Sequence, residues 1–152
     1  SKSSRLIQMK SLTLRYSTAT IRDLNDIREF LESALLSLGS DSDTAGDVVL
    51  AVNEAVTNTL LHGYQEQPGP VAVCAEADGH DLLVRLLDET PLFDPTAVPP
   101  PDINLPLEER PLGGLGVHMM RQLTDVLLYR VTEDGQNELI FVKRGVLTEA
   151  RT

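Results

Sequence analysis

Hydrophobic positions near the start of the chain recur with two different periods, which predict a strand followed by a helix. Residues 11–16 alternate between apolar and polar side chains, as in a half-buried strand. The next apolar residues recur at three- and four-residue spacing with charged residues between them: Ile21, Leu24, Ile27, Leu31, Leu35 and Leu38. This spacing predicts an amphipathic helix that ends at Gly39.

A second helix is predicted between the N-cap candidates of Ser40-Asp41-Ser42 and a stop at Gly63. Two β-rich runs follow, 71–77 and 81–88, and the Asp78-Gly79 pair between them indicates a hairpin.

The composition and hydrophobic pattern of the chain change after the second β-rich run. Residues 94–111 contain most of the prolines and show no period, which predicts a long loop of the kind that often forms a lid or binding loop. The glycines of 113–116 precede a third helix, and a last hairpin pairs 126–131 with 137–143.

The order of elements predicts an α+β fold. Strands come in hairpins instead of alternating singly with helices, so we expect a two-layer sandwich with a mixed, mostly antiparallel sheet and helices on one face. We expect one domain over residues 5–148, with no repeat, and interpret residues 1–4 as a tag remnant or a trimmed start.

Charge and composition narrow the function classes. The 152-residue chain has a net charge of −10, which disfavours binding to nucleic acid or to anionic lipid. No apolar run reaches the roughly 18 residues of a membrane span, so we expect no membrane partner and a cytoplasmic location.

The second helix carries a polar stripe through an otherwise apolar sequence. Glu54, Asn58 and His62 follow each other at four-residue spacing and therefore share one helix face. A half-buried carboxylate could act as a general base, and an amide oxygen can be a sufficient protein ligand for Mg²⁺, which keeps waters and phosphate oxygens. Taken alone, the stripe is more typical of the wet face of a packed helix.

Two further features suggest a nucleotide site. Asp88 ends an apolar strand, where a carboxylate could accept a hydrogen bond from a base amino group; alone, it is more typical of a solvated turn. Gly113, Gly114 and Gly116 open the third helix, where glycines and free N–H groups can hold phosphates; alone, they suit a flexible hinge equally well.

Together the three features resemble the GHKL ATPase superfamily, and within it the anti-sigma-factor serine/threonine-protein kinases. The segments that carry the resemblance are Glu54-Ala55-Val56-Thr57-Asn58, Asp88-Glu89-Thr90 with Phe93, and Gly113-Gly114-Leu115-Gly116 with Met120, Leu123 and Asp125. The resemblance covers residues 10–145 and implies the Bergerat ATP-binding fold.

The resemblance also implies a set of roles. Glu54 would be the catalytic base and Asn58 the Mg²⁺ ligand, while Asp88, Thr90 and the 113–117 segment (Gly113, Gly114, Leu115, Gly116, Val117) would bind ATP under a lid at about 94–112. The implied partners are a STAS-domain anti-anti-sigma protein, phosphorylated on a serine, and a sigma factor; a homodimer is expected. Arg28 would contact the partners.

One position departs from the family pattern. Thr90 stands where the family has glycine, and its side chain could narrow the base pocket, open the turn or replace a backbone contact. We therefore weigh a kinase against an alternative, a catalytically weak or inactive module that acts only by partner sequestration. A third interpretation, the ATPase half of a histidine kinase, would need a helical phosphoacceptor-histidine domain, which we expect not to fit within these 152 residues but which a longer protein could carry.

Overall fold

The computed structural model describes residues 9–99, 104–106 and 114–148. The predicted tag remnant at 1–4 and the predicted lid residues 100–103 and 107–112 lie outside the described residues. The elements in chain order are β1 (Met9–Ala19), a 3₁₀ turn (Ile21–Asp23), α1 (Leu24–Ser37), α2 (Ser42–Asn58), a π turn (Thr59–Gly63), β2 (Gly69–Asp78), β3 (Asp81–Asp88), a 3₁₀ turn (Pro95–Ala97), α3 (Gly114–Leu123), β4 (Val126–Val131) and β5 (Asn137–Lys143).

The strands form one five-stranded sheet in the order β1-β2-β3-β5-β4. Every pairing between these strands is antiparallel, so the predicted two-layer α+β sandwich is confirmed. The predicted sheet was mixed, but the described ranges contain no parallel pair of strands. The last hairpin joins the sheet through β5, which pairs with β3, so that β4 lies at the edge of the sheet. This order places the start of β5 beside the end of β3, with Asn137 directly opposite Asp88.

The helices cover one face of the sheet because their apolar stripes and alternate strand residues form one core. Leu31 and Leu35 of α1, Val52 and Val56 of α2 and Phe141 of β5 are all fully buried in it. Burying such a stripe stabilises a helix more than intrinsic propensity does. None of the helices in the described part of the chain is long and apolar enough to cross a bilayer.

Local signals set the bounds of α2, the helix that carries the polar stripe. Gly39 ends the preceding helix with a φ of +106°, a conformation that glycine adopts without strain. The Asp41 carboxylate then accepts a 2.8 Å hydrogen bond from the Thr44 N–H, which caps α2 and lowers the pKa of Asp41. The α-helix proper ends at Asn58, and the last turn to Gly63 widens into a π turn.

Alternation along β5 fixes which of its side chains reach the helix side. Glu138 faces away from the helices and, almost fully buried, pairs with Arg85 at 3.5 Å and with Arg130. Asn137 and Leu139 therefore point to the opposite face, toward α2 and α3. A one-residue slip would bury an unpaired glutamate against the core, so the ion pairs help to set this register.

Candidate functional site

A cavity of about 470 Å³ opens between α2, α3 and the ends of β3 and β5. Its apolar lining includes Ala55, Leu86, Val98, Val117, Met120 and Leu139. Its polar lining includes Asn58, Thr59, His62, Asp88, Thr90 and Asn137. A largely apolar cleft of this size with a few convergent polar groups is typical of a small-ligand site.

Asp88 is the carboxylate of this cavity, and most of its hydrogen-bonding capacity is already used. It is only 6% exposed. Its Oδ1 accepts hydrogen bonds from the Thr90 N–H at 3.0 Å, the Thr90 hydroxyl at 2.7 Å and the Asn137 amide at 2.9 Å. Its Oδ2 accepts one bond, from the Thr59 hydroxyl at 3.1 Å. Because each carboxylate oxygen offers about two lone pairs, Oδ2 is the atom that can accept a further donor from a ligand.

Thr90 closes the turn after β3 instead of opening it. Its hydroxyl and its N–H both bond to the same Asp88 oxygen. Its methyl group faces Gly63 so closely that a Cβ on Gly63 would lie 2.6 Å from Thr90 Cγ2. The side chain thus takes up room beside the π turn, and the absence of a side chain at Gly63 accommodates it.

Glu54 meets the first turn of α3. A Cβ built on Gly116 would lie 2.7 Å from Glu54 Oε1, so the carboxylate packs directly on the glycine backbone. Glu54 is half-buried, and none of the ion pairs among the described residues includes its carboxylate. The first N–H groups of a helix lack intrahelical partners and carry partial positive charge, so this is a favourable place for anions.

Asn58 lies one helical turn after Glu54 and lines the cavity, followed by His62, which is exposed at its rim. Two members of the predicted stripe, Asn58 and His62, therefore line the cavity, whereas Glu54 is not among its lining residues and packs on Gly116. Among the described residues no group of three or more His, Cys, Asp or Glu could hold a metal ion. A Mg²⁺ site made from one amide oxygen, waters and phosphates does not need such a group.

The other predicted residues fall into three groups. Val117 is buried in the cavity lining, and Gly114 and Leu115 belong to the first turn of α3. Gly113 lies outside the described residues. Arg28 is exposed on α1, where its guanidinium donates a hydrogen bond to Asn25, and it is not part of the cavity lining.

Sequence reasoning missed several polar residues of the cavity, among them two that bond to Asp88. Asn137 is buried opposite Asp88, and Thr59 donates to the second oxygen of the same carboxylate. Thr59 continues the polar side of α2 by one residue and could have been found from that position. Asn137 is 49 residues from Asp88 and carries no local motif, so only knowledge of the β3–β5 pairing would have revealed it.

Similar proteins include one named as an anti-sigma factor and one named as a serine-protein kinase. The anti-sigma F factor of Clostridium acetobutylicum is 29% identical over 110 residues, which span 68% of this chain and 72% of that protein. The serine-protein kinase RsbW of Bacillus cereus is 32% identical over 92 residues, which span 58% of each chain. A solved structure of the RsbU and RsbW domains of a Mycobacterium tuberculosis protein has the same fold, with a TM-score of 0.59 at 20% identity.

The coverage of these relatives is incomplete. The match spans little more than half of the length of the Bacillus kinase, and the superposed structure covers 93% of this chain but 33% of the mycobacterial one. The family model for the histidine kinase-like ATPase domain matches residues 17–143, which is most of the chain. The chain therefore belongs to the histidine kinase-like ATPase domain family.

Proposed function

We propose that this chain is an ATP-dependent serine/threonine-protein kinase of the anti-sigma type, which phosphorylates a serine of a STAS-domain anti-anti-sigma protein and sequesters a sigma factor. The observation that carries the proposal is the contact between Glu54 and Gly116. It brings an acid on α2 to the glycine-rich start of α3, beside a cavity that ends at Asp88. The names of the relatives support the same activity.

The cavity suits an adenine base. Family membership in an ATPase domain implies ATP binding. Apolar side chains such as Leu86 and Met120 offer flat contact for a ring, and Asp88 Oδ2 retains a lone pair for an exocyclic amino group. A 6-oxo purine would present an acceptor to this carboxylate and would be rejected.

The α2–α3 contact suits the phosphate end. A Cβ at Gly116 would crowd the Glu54 carboxylate, so the glycine lets this carboxylate lie against the α3 backbone, whose first N–H groups can bind phosphate oxygens. We assign the same role to Gly113, Gly114, Leu115 and Val117. Asn58 would supply an amide oxygen to Mg²⁺. When bound, ATP supplies the phosphoryl group and Mg²⁺ offsets the phosphate charge.

Glu54 would hold and move the proton in the reaction. Its carboxylate would accept the proton of the serine hydroxyl as the serine oxygen attacks the phosphoryl group. General-base catalysis of this kind contributes typically about 10²–10⁴-fold in rate. The contact with Gly116 holds the carboxylate beside the first turn of α3. Removing the carboxylate should therefore slow transfer by about this factor and leave nucleotide binding largely intact.

Thr90 favours one alternative, a weak or inactive nucleotide-binding module that acts only by sequestering its partners. Its side chain packs against Gly63 at the cavity wall and binds Asp88. If this packing excludes the base, partner binding persists without phosphorylation.

The test mixes the chain with ATP, Mg²⁺ and STAS-domain proteins from the same genome and measures serine phosphorylation. Transfer by the wild-type chain that is lost in Glu54→Ala supports the kinase. Asp47→Ala is the matched control, because it removes an exposed carboxylate from the same helix two turns earlier and should leave the rate unchanged. Tight partner binding without transfer favours the sequestering module.

Partner binding is measured separately. Nucleotide that binds only the folded chain should raise the melting temperature by mass action. Arg28 is exposed on α1 and available to partners, so Arg28→Ala should weaken binding of the sigma factor and of the STAS-domain protein while the nucleotide-induced shift remains. Light scattering of the purified chain tests the homodimer, and fractionation of cells tests the cytoplasmic location.

A further inference from the structure

Asn137 makes hydrogen bonds at both ends of its side-chain amide. It is 6% exposed. The two hydrogens of its Nδ2 are shared among three acceptors: Asp88 Oδ1 at 2.9 Å, and the carbonyl and hydroxyl oxygens of Thr90, both at 3.1 Å. Its Oδ1 accepts from the Phe93 N–H at 3.2 Å and from the Tyr129 hydroxyl at 2.5 Å.

These partners determine the orientation of the amide. The nitrogen end faces a carboxylate and a carbonyl, which only accept hydrogen bonds, while the oxygen end faces a main-chain N–H, which only donates. A flipped amide would set its oxygen against the Asp88 carboxylate and its N–H₂ against the Phe93 N–H. Both contacts would be repulsive, so a single orientation satisfies the site.

We propose that Asn137 is a positioning residue that aligns Asp88 for a 6-aminopurine and ties this carboxylate to the Phe93 main chain. The inference rests on the proposed function and deepens it. Three donors hold Asp88 Oδ1, and this direction leaves Oδ2 turned toward Thr59 and the ligand. Asn137 is the donor that comes from a different strand, so it fixes the carboxylate against the sheet and not only against its own turn.

The same amide couples the base site to the main chain at Phe93. Phe93 is 62% exposed, yet its main-chain N–H is bonded to Asn137 Oδ1. The Tyr129 hydroxyl, whose pKa is raised by burial and by the nearby Asp94 and Asp88 carboxylates, remains a donor to the same oxygen. A ligand that engages Asp88 therefore tightens a network that includes the Phe93 main chain.

The experiment compares binding of ADP with binding of IDP, its 6-oxo analogue, by calorimetry. In the wild-type chain ADP should bind more tightly. Asn137→Ala should reduce the ADP/IDP preference by about tenfold or more, the effect of removing one hydrogen bond to a charged group. Gln136→Ala is the neighbouring control, because its side chain contacts Glu89 and does not line the cavity, and it should keep the wild-type preference.

Asn137→Asp separates the two ends of the amide while preserving its shape. It keeps an acceptor for the Phe93 N–H but sets a second carboxylate against Asp88 Oδ1. A proton shared by the pair replaces the lost donor at low pH, so the ADP preference should fall as pH rises. Hydrogen exchange at the Phe93 amide should stay slow in Asn137→Asp and become fast in Asn137→Ala.

The outcomes separate the two proposals. A wild-type chain that binds neither nucleotide overturns both the proposed function and the role of Asn137. A wild-type chain that prefers ADP, with variants that lose only thermal stability and retain the preference at every pH, overturns the role of Asn137 alone. A reduced preference together with fast exchange at Phe93 in Asn137→Ala supports it.

Discussion

Gly116→Ala is the substitution that most directly examines the contact between α2 and α3. The added Cβ would lie 2.7 Å from Oε1, 3.2 Å from Cγ and 3.3 Å from Cδ of Glu54. All three atoms belong to the far end of a flexible side chain, so the carboxylate can swing away without moving the helix backbone. The expected perturbation is therefore a displaced carboxylate in an intact fold.

The size of the displacement predicts the size of the effect. To reach an ordinary contact distance of 3.4 Å from 2.7 Å, Glu54 Oε1 must move by about 0.7 Å. A misplacement of about 1 Å in a reacting group can cost about a hundredfold in rate, so we expect kcat to fall by between about tenfold and a hundredfold. Stability should not fall, because alanine is favoured over glycine inside a helix by roughly 0.5–1 kcal/mol.

The assay measures serine phosphorylation, nucleotide affinity and the free energy of unfolding for the same preparations. Gly46→Ala is the matched control, since Gly46 lies within α2 and a Cβ there meets nothing within 4 Å. It should stabilise the chain by the same roughly 0.5–1 kcal/mol and leave kcat unchanged. Gly116→Ala should match it in stability and differ in kcat.

A double-mutant cycle shows whether the effect passes through the carboxylate. If it does, Gly116→Ala has no further effect on kcat in a Glu54→Ala background. Two results would refute the reasoning: a wild-type rate in Gly116→Ala, or an equal additional loss when the carboxylate is already absent. The second result would mean that the alanine acts on the α3 backbone or on the phosphates.

Two further predictions concern Gly63, at the cavity wall, and its neighbour Tyr64. Gly63→Ala should cost about 1–3 kcal/mol of stability by overpacking against Thr90 Cγ2. Thr90→Ser in the same chain should recover most of this loss, because it removes the Cγ2 methyl group and keeps the hydroxyl. Thermal unfolding of the two single variants and the double variant checks this, and a double variant that stays as unstable as Gly63→Ala contradicts it. Tyr64→Phe should cost about 1 kcal/mol, since the hydroxyl accepts a 2.8 Å bond from the Glu89 N–H. Burial raises the pKa of Tyr64 above its ordinary 10.0. The protonated hydroxyl therefore contributes fully to stability below pH 10, and this contribution is lost as pH rises further. Denaturant titrations at about pH 7 to 11.5 should show that the free energy of unfolding falls less at alkaline pH in Tyr64→Phe than in the wild-type chain.

Local patterns were sufficient for the elements of this fold and for one part of the site. The three- and four-residue spacing before Gly39 predicted the first helix, and the Asp78-Gly79 signal predicted the β2–β3 hairpin, with Gly79 at a φ of +60°. The spacing of Glu54 and Asn58 placed both on one helix face. These features depend on neighbours within about four residues, whose relation is set by helix and strand geometry.

The sequence by itself therefore determined the periodic elements, their hairpins and the family to which the chain belongs. Only the tertiary structure decided that β5 pairs with β3, which set Asn137 opposite Asp88, and that α3 begins against Glu54. It also showed that Thr90 is accommodated because Gly63 faces it from another element. Contacts of this kind join residues far apart in the chain, and they arise from the burial of whole helix and sheet faces, which no local pattern of residues encodes.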